Sequence, residues 1–145
     1  PRYRDGELLV RFADGAAARG RATLRAGVAR RFAGVRDLAL VTLPPGGQSA
    51  LRHWHTREDE FVYVLSGEVT LVTDAGEQAL GAGMCVGYPA NSGDAHHLIN
   101  RSGAVATYLE VGSRVDDDEC FYPDDDLLLV DNNSRYAHKD GSSYP

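Results

Sequence analysis

Two histidines, His53 and His55, flank a single tryptophan, and a glutamate, Glu60, follows five positions later. In an extended chain, side chains two apart share a face, so both imidazoles turn to one side and Trp54 to the other. Glu60 has the wrong parity to join them on a continuous strand. The polar run Thr56-Arg57-Glu58-Asp59 therefore reads as a turn that returns the carboxylate on the next strand of a hairpin. Two nitrogens and one oxygen meeting in this way suit a divalent metal ion. A second histidine-bearing stretch, His96-His97-Leu98-Ile99-Asn100, lies beyond Pro89 and a small polar loop.

Read from Gly47 to Gly67, the first stretch resembles the cupin motif G-x5-H-x-H-x4-E-x6-G at every fixed position. The stretch from Gly83 to Asn100 resembles the second cupin motif, G-x5-P-x-G-x2-H-x3-N, with two departures. Asn91 stands where the family has glycine, and two additional residues separate Pro89 from the histidine. Counting from Pro89 without a gap puts Asp94 at the ligand position, whereas His96 keeps the spacing to Asn100. Loops accept extra residues at little cost, while a one-residue slip in a strand turns every side chain over. The insertion thus belongs in the loop and His96 in the ligand set. Wider similarity, from about Leu38 to His138–Gly141, is to small single-domain bacterial cupins, many of them named only as cupins or as sugar-phosphate-isomerase-like.

The resemblance implies an all-β cupin jelly-roll barrel (double-stranded β-helix) holding one divalent metal ion on His53, His55, Glu60 and His96. Three imidazoles and one carboxylate suit Zn, Fe, Mn, Ni or Co, and affinity order alone does not choose among them. Six-coordination would leave two adjacent positions for water or a chelating substrate, where the ion polarises a carbonyl or stabilises an enediolate. The expected function is that of a metalloenzyme of isomerase or lyase type acting on a sugar, sugar acid or keto acid. The alternatives are an Fe(II)-dependent dioxygenase and a non-catalytic barrel that uses its metal to hold a small ligand. Glu58, Asp59, Asp94 and Glu110 are the carboxylates available as a base.

Other chemistry-bearing residues read more plainly. His97, opposite in parity to His96, is packed or solvent-facing. His138 reads as a solvated tail residue, and Asp124–Asp126 as a solvated acidic face lacking the spacing of a calcium loop. Cys85 reads as a buried structural thiol. Neither common phosphate-cradling glycine loop is present.

The elements that must position these residues are short. Apolar runs at 7–12, 22–32, 37–43, 49–55, 60–65, 68–73, 77–80, 84–88, 95–100, 104–111 and 127–130 are each ended by Gly, Pro, Asn or Asp. That pattern predicts many strands and no long helix. Residues 1–36 read as strands or an arm of the same domain, 37–112 as the barrel core, and 113–145 as an acidic extension packed on it, extended beyond 130. At 145 residues and 43% hydrophobic content, one domain can bury a core without disulfides. Two cysteines and no secretory or spanning run predict reduced thiols and a cytoplasmic, soluble protein. The net charge of −6 argues against nucleic acid, which needs clustered cations, and no membrane partner is expected. Residues 1–36 hold nine arginines against three acids, and residues 109–145 hold ten acids against three cations. These complementary ends could pair within or between subunits, and a homodimer is the expected assembly, as the resemblance also implies.

Overall fold

A computed structural model describes residues 38–113, 115–131 and 135–143, together with the backbone of 28–31. Among these described residues twelve strands follow one another: β1 (Val28–Arg31), β2 (Leu38–Leu43), β3 (Trp54–His55), β4 (Glu60–Ser66), β5 (Glu68–Thr73), β6 (Gly76–Gly81), β7 (Cys85–Tyr88), β8 (His97–Ile99), β9 (Ala106–Gly112), β10 (Cys120–Tyr122), β11 (Leu127–Val130) and β12 (Arg135–Ala137). They form three sheets, ordered β1-β2-β9-β4-β7, β12-β11-β10-β3 and β6-β5-β8. All pairings are antiparallel. This is an all-β jelly-roll barrel. The strand expected at 7–12, the weak helical tendency at 15–18 and most of the strand expected at 22–32 lie outside the described residues.

Period-two alternation builds the core. Along β2, Ala39, Val41 and Leu43 are buried while their neighbours are partly exposed. Val62 and Val64 of β4, Val69 and Leu71 of β5, Leu80, Leu98, Ala106 and Tyr108 complete one apolar cluster. Each fully buried Val or Leu contributes about 1.5–3 kcal/mol by leaving water. A smaller cluster of Cys120, Tyr122 and Leu127, with Leu51, Leu129 and Tyr136 against it, closes the C-terminal sheet.

Three expectations need correction. The stretch 49–55 is not a regular strand: only Trp54 and His55 pair as one, with isolated bridges at Gln48–Ile99 and His53–His96. Between them the Ser49 hydroxyl accepts the Leu98 N–H at 2.9 Å, replacing a backbone partner. Nor do β3 and β4 form a hairpin. β3 pairs with β10 and β4 with β7 and β9, so His55 and Glu60 reach the same place from different sheets. The corner is held because the Thr56 N–H donates to the Glu119 carbonyl and the Arg57 and Glu58 N–H groups donate to Asp118. Finally, the chain beyond 130 is not a simple extended tail, since Arg135–Ala137 adds a strand to β11.

Candidate metal centre

Three imidazole Nε2 atoms face one carboxylate oxygen. Glu60 Oε2 lies 2.9 Å from His96 Nε2 and 3.8 Å from both His53 Nε2 and His55 Nε2. Strand geometry sets this up. His53 sits at the bridge to His96, His55 is in β3, and Glu60 opens β4 opposite Tyr88 and Gly112. Trp54, of opposite parity, stacks on Phe121 with ring centroids 4.9 Å apart.

The remaining ring atoms are fixed from behind. His53 Nδ1 lies 2.7 Å from the Leu51 carbonyl and His55 Nδ1 lies 2.5 Å from Asp118 Oδ2, so each donates its Nδ1–H and presents Nε2 to the centre. The His96 ring is clamped face to face on Tyr88, centroids 3.5 Å apart and planes within 2°. Its Nδ1 is buried with no hydrogen-bond partner among the described residues.

Burial and charge divide the protonation states. Burial lowers the His53 pKa to about 4, outweighing the pull of Glu60 towards the charged form. Burial alone would also lower that of His55, but the neighbouring Cys120, Glu60 and Asp118 outweigh it and raise the value to about 10. Burial would raise the Glu60 pKa, yet the His96 hydrogen bond and the charges of His53 and His55 hold it at about 2. At neutral pH the cluster is thus an ionised carboxylate, a neutral His53 and a charged His55.

This donor set fits a metal ion. Ligand atoms bonded at about 2.1 Å to one ion stand about 3 Å apart when adjacent and about 4 Å when opposite. The separations above fall in that range, and His53, Glu60 and His96 form one compact group of potential ligands. Two other such groups adjoin it: His53, His55 and Cys120, which shares His53, and His55, Glu58 and Asp118, which is linked to it through His55.

A cavity of about 190 Å³ opens beside the cluster. Its wall includes Tyr88, Leu98, Tyr108, Glu110, Cys120 and Tyr122. The hydroxyls of Tyr88 and Tyr108 are both buried; that of Tyr88 has no hydrogen-bond partner among the described residues, and that of Tyr108 faces the Ser49 side chain. Burial raises both phenol pKa values, and the nearby Glu60 and Glu110 carboxylates add to it, so both remain protonated donors at neutral pH. Of the four carboxylates read from sequence as available bases, Glu110 lines the cavity. Glu58 is buried beside His55 and Asp118. Asp59 accepts the Ala90 N–H, and Asp94 is exposed and accepts the Asp74 N–H.

Further readings are revised or refined. His97 is half-buried, its Nδ1 2.6 Å from Gln48 Nε2. His138 is partly exposed, and its Nδ1 lies 2.8 Å from the exposed Asp126 carboxylate. Asp124 and Asp126 are exposed, but Asp124 takes a two-pronged contact from Arg52 at 2.7 and 2.8 Å. Cys85 is exposed rather than buried, since it faces outward on β7; the buried free thiol is Cys120. Asn91 adopts φ of 57°, a left-handed conformation that asparagine tolerates better than most residues. That explains its place at a motif glycine. Sequence reasoning missed Cys120, Asp118 and the cavity tyrosines. Cys120 is brought to the site only by pairing opposite His55, and no local signal marks it.

A family model described as the Cupin domain matches residues 39–112. The chain is similar to the crystal structure of a sugar phosphate isomerase from a cupin superfamily of Silicibacter pomeroyi, with 35% identity, 84% of this chain and 82% of that one covered, and a TM-score of 0.78. It is also similar to a putative sugar phosphate isomerase from Acidithiobacillus ferrooxidans, at 31% identity, 76% and 74% coverage and a TM-score of 0.68. A Thermus thermophilus structure shares 28% identity over 63% of this chain and 87% of that one, with a TM-score of 0.53. None of the curated proteins matches this chain.

Proposed function

This chain belongs to the cupin superfamily, and from that premise we propose that it is a metalloenzyme acting on a small oxygenated metabolite, of isomerase or lyase type. His53, His55, Glu60 and His96 hold one divalent ion. The observation that carries the reading is the convergence of three imidazole Nε2 atoms on Glu60 Oε2. The ion, once bound, supplies Lewis-acid polarisation of a substrate carbonyl or hydroxyl. The chain supplies the rest. Tyr88 and Tyr108 donate hydrogen bonds to substrate oxygens, and Glu110, on the same wall, moves a proton to or from the substrate carbon. The apolar side chains around them exclude bulk water. The names of two of the similar structures, both of sugar phosphate isomerases, support isomerase chemistry on a sugar-like substrate.

Elemental analysis of purified protein tests the ligand set. We expect one divalent metal per chain in the wild type and in His97→Ala and Asp94→Ala, and loss of it in His53→Ala, His55→Ala, Glu60→Ala and His96→Ala. Full occupancy in Glu60→Ala would sink the assignment. Aldose–ketose interconversion by the metal-loaded protein, abolished in Glu110→Gln with metal retained, tests the chemistry.

A homodimer is part of the proposal. On the outer face of the five-stranded sheet, Phe61 pairs across to Val111 and Tyr63 to Leu109, and β2 continues these rows with Leu38 and Leu40. Phe61, Tyr63, Leu65 and Val111 are all exposed. Such an apolar ladder suits a second copy of itself packed about a two-fold axis. It supports the dimer more directly than the opposite charges of the two ends. Among the described residues no helix is long and apolar enough to cross a membrane.

A further inference from the structure

Asp118 belongs to the acidic run Asp116–Glu119, whose other members are exposed, yet it is fully buried. Burying a carboxylate costs several kcal/mol unless hydrogen bonds replace its water. Here they do. Oδ1 accepts the backbone N–H groups of Arg57 and Glu58 at 2.8 and 3.1 Å and faces the Thr56 hydroxyl at 3.3 Å. Oδ2 lies 2.5 Å from His55 Nδ1. The segment is tied to the same corner again, with the Thr56 N–H donating to the Glu119 carbonyl and the Glu119 N–H to the Thr56 hydroxyl, both at 3.0 Å.

We infer that Asp118 is the positioning residue of the metal centre, orienting His55 so that its Nε2 lone pair faces Glu60. This rests on the metal reading above. A hydrogen bond from Nδ1–H to a carboxylate fixes the ring's tautomer and orientation and raises the basicity of the opposite nitrogen. The alternative, an ion shared by His55, Glu58 and Asp118, does not suit the distance. Two ligand atoms around one ion with bonds of about 2.1 Å keep about 3 Å between them, whereas 2.5 Å is a charge-assisted hydrogen bond. The C-terminal segment is therefore part of the centre, although it touches none of the motif's other ligands through this residue.

Two variants separate orientation from mere support of the loop. Asp118→Asn keeps an oxygen for the Arg57 and Glu58 N–H groups but turns an amide N–H towards His55 Nδ1. The ring must then accept at Nδ1 and carry its proton on Nε2, where the ion needs a lone pair. Asp118→Ala removes both interactions. Zinc is titrated by calorimetry into each metal-free protein, and the metal-free melting temperatures are recorded. Asp118→Asn should melt closer to wild type than Asp118→Ala, yet bind zinc about 10–100-fold more weakly than wild type and no better than Asp118→Ala. Thr56→Val, which loosens the same corner without touching His55, should lower the melting temperature and leave zinc affinity unchanged. Wild-type affinity in Asp118→Asn, or an equal loss in Thr56→Val, would overturn the inference and leave the metal reading intact. Failure of the wild type to bind zinc would overturn both. Nitrogen-15 NMR of zinc-loaded wild type supplies a check that needs no variant. His55 should be protonated at Nδ1, and a bare Nδ1 overturns the inference.

Discussion

Gly67→Ala isolates why a glycine closes the first motif. Gly67 lies in the turn between β4 and β5 with φ of 74°. A Cβ there would sit 2.7 Å from the Val105 carbonyl oxygen and 2.8 Å from Ala106 Cα, with Ala106 Cβ at 3.1 Å. Two of those neighbours are backbone at the entrance of β9, which cannot swing aside like the end of a flexible side chain. The left-handed conformation alone costs a residue with a Cβ about 1–2 kcal/mol. Forcing a methyl group into packed structure adds about 1–3 kcal/mol. The expected loss is therefore about 2–5 kcal/mol, and at about 3–4 °C per kcal/mol for a domain of this size the melting temperature falls by about 10 °C. Gly46 is the internal reference. It has the same φ of 74° but nothing within 4 Å of its added Cβ, so Gly46→Ala should lose only the conformational part. Thermal and denaturant unfolding of both variants, each at matched metal content, measure the difference. Equal losses at the two positions would refute the reasoning, because the close approach to β9 would then carry no energy.

Asn100 is fully buried and donates to the Leu43 and Ala104 carbonyls at 2.8 Å each while accepting from the Ser102 N–H and hydroxyl. Asn100→Ala should cost about 2–4 kcal/mol in denaturant unfolding, because a buried carbonyl is orphaned, with metal content unchanged; metal loss in a folded variant would contradict this. Metal uptake should release about one proton at neutral pH. His55 is raised to about 10 and must lose its proton, whereas His53 at about 4 and Glu60 at about 2 need lose none. Affinity should accordingly rise about tenfold per pH unit from neutrality towards pH 10, and calorimetry in buffers of different ionisation enthalpy that finds no released proton would refute it. In the metal-free protein the same shift works the other way. His55 is raised above its ordinary 6.5, so its stabilising contribution is complete below that value and is lost as pH rises through about 10. Light scattering should show a dimer whose population survives high salt, and Phe61→Arg should yield a monomer; a salt-sensitive dimer untouched by Phe61→Arg would point to the charged ends instead.

Much of the fold was legible because its signals are local. The apolar run at 37–43 and the strand read at 68–73 gave β2 and β5 to within a residue, and Gly67, Gly81, Pro89 and Asn100 marked the ends of β4, β6, β7 and β8. The spacing of His53, His55 and Glu60 named candidates without any structure, since period two and a polar turn suffice to bring such residues near one another. What the sequence could not supply is which strands are neighbours. A hairpin between β3 and β4 is the cheapest local solution, but the corner at Thr56–Glu58 is fastened by Asp118 some sixty positions away, and β3 pairs with β10 instead. That non-local pairing delivers Cys120 opposite His55, buries one member of an acidic run and brings Cys120 and Tyr122 to a cavity whose wall draws on eight strands. Side-chain types and their local spacing fixed the ingredients of the centre. Only tertiary contacts decided what stands behind each imidazole, because a buried hydrogen bond is set by where the chain returns, not by the residues on either side of it.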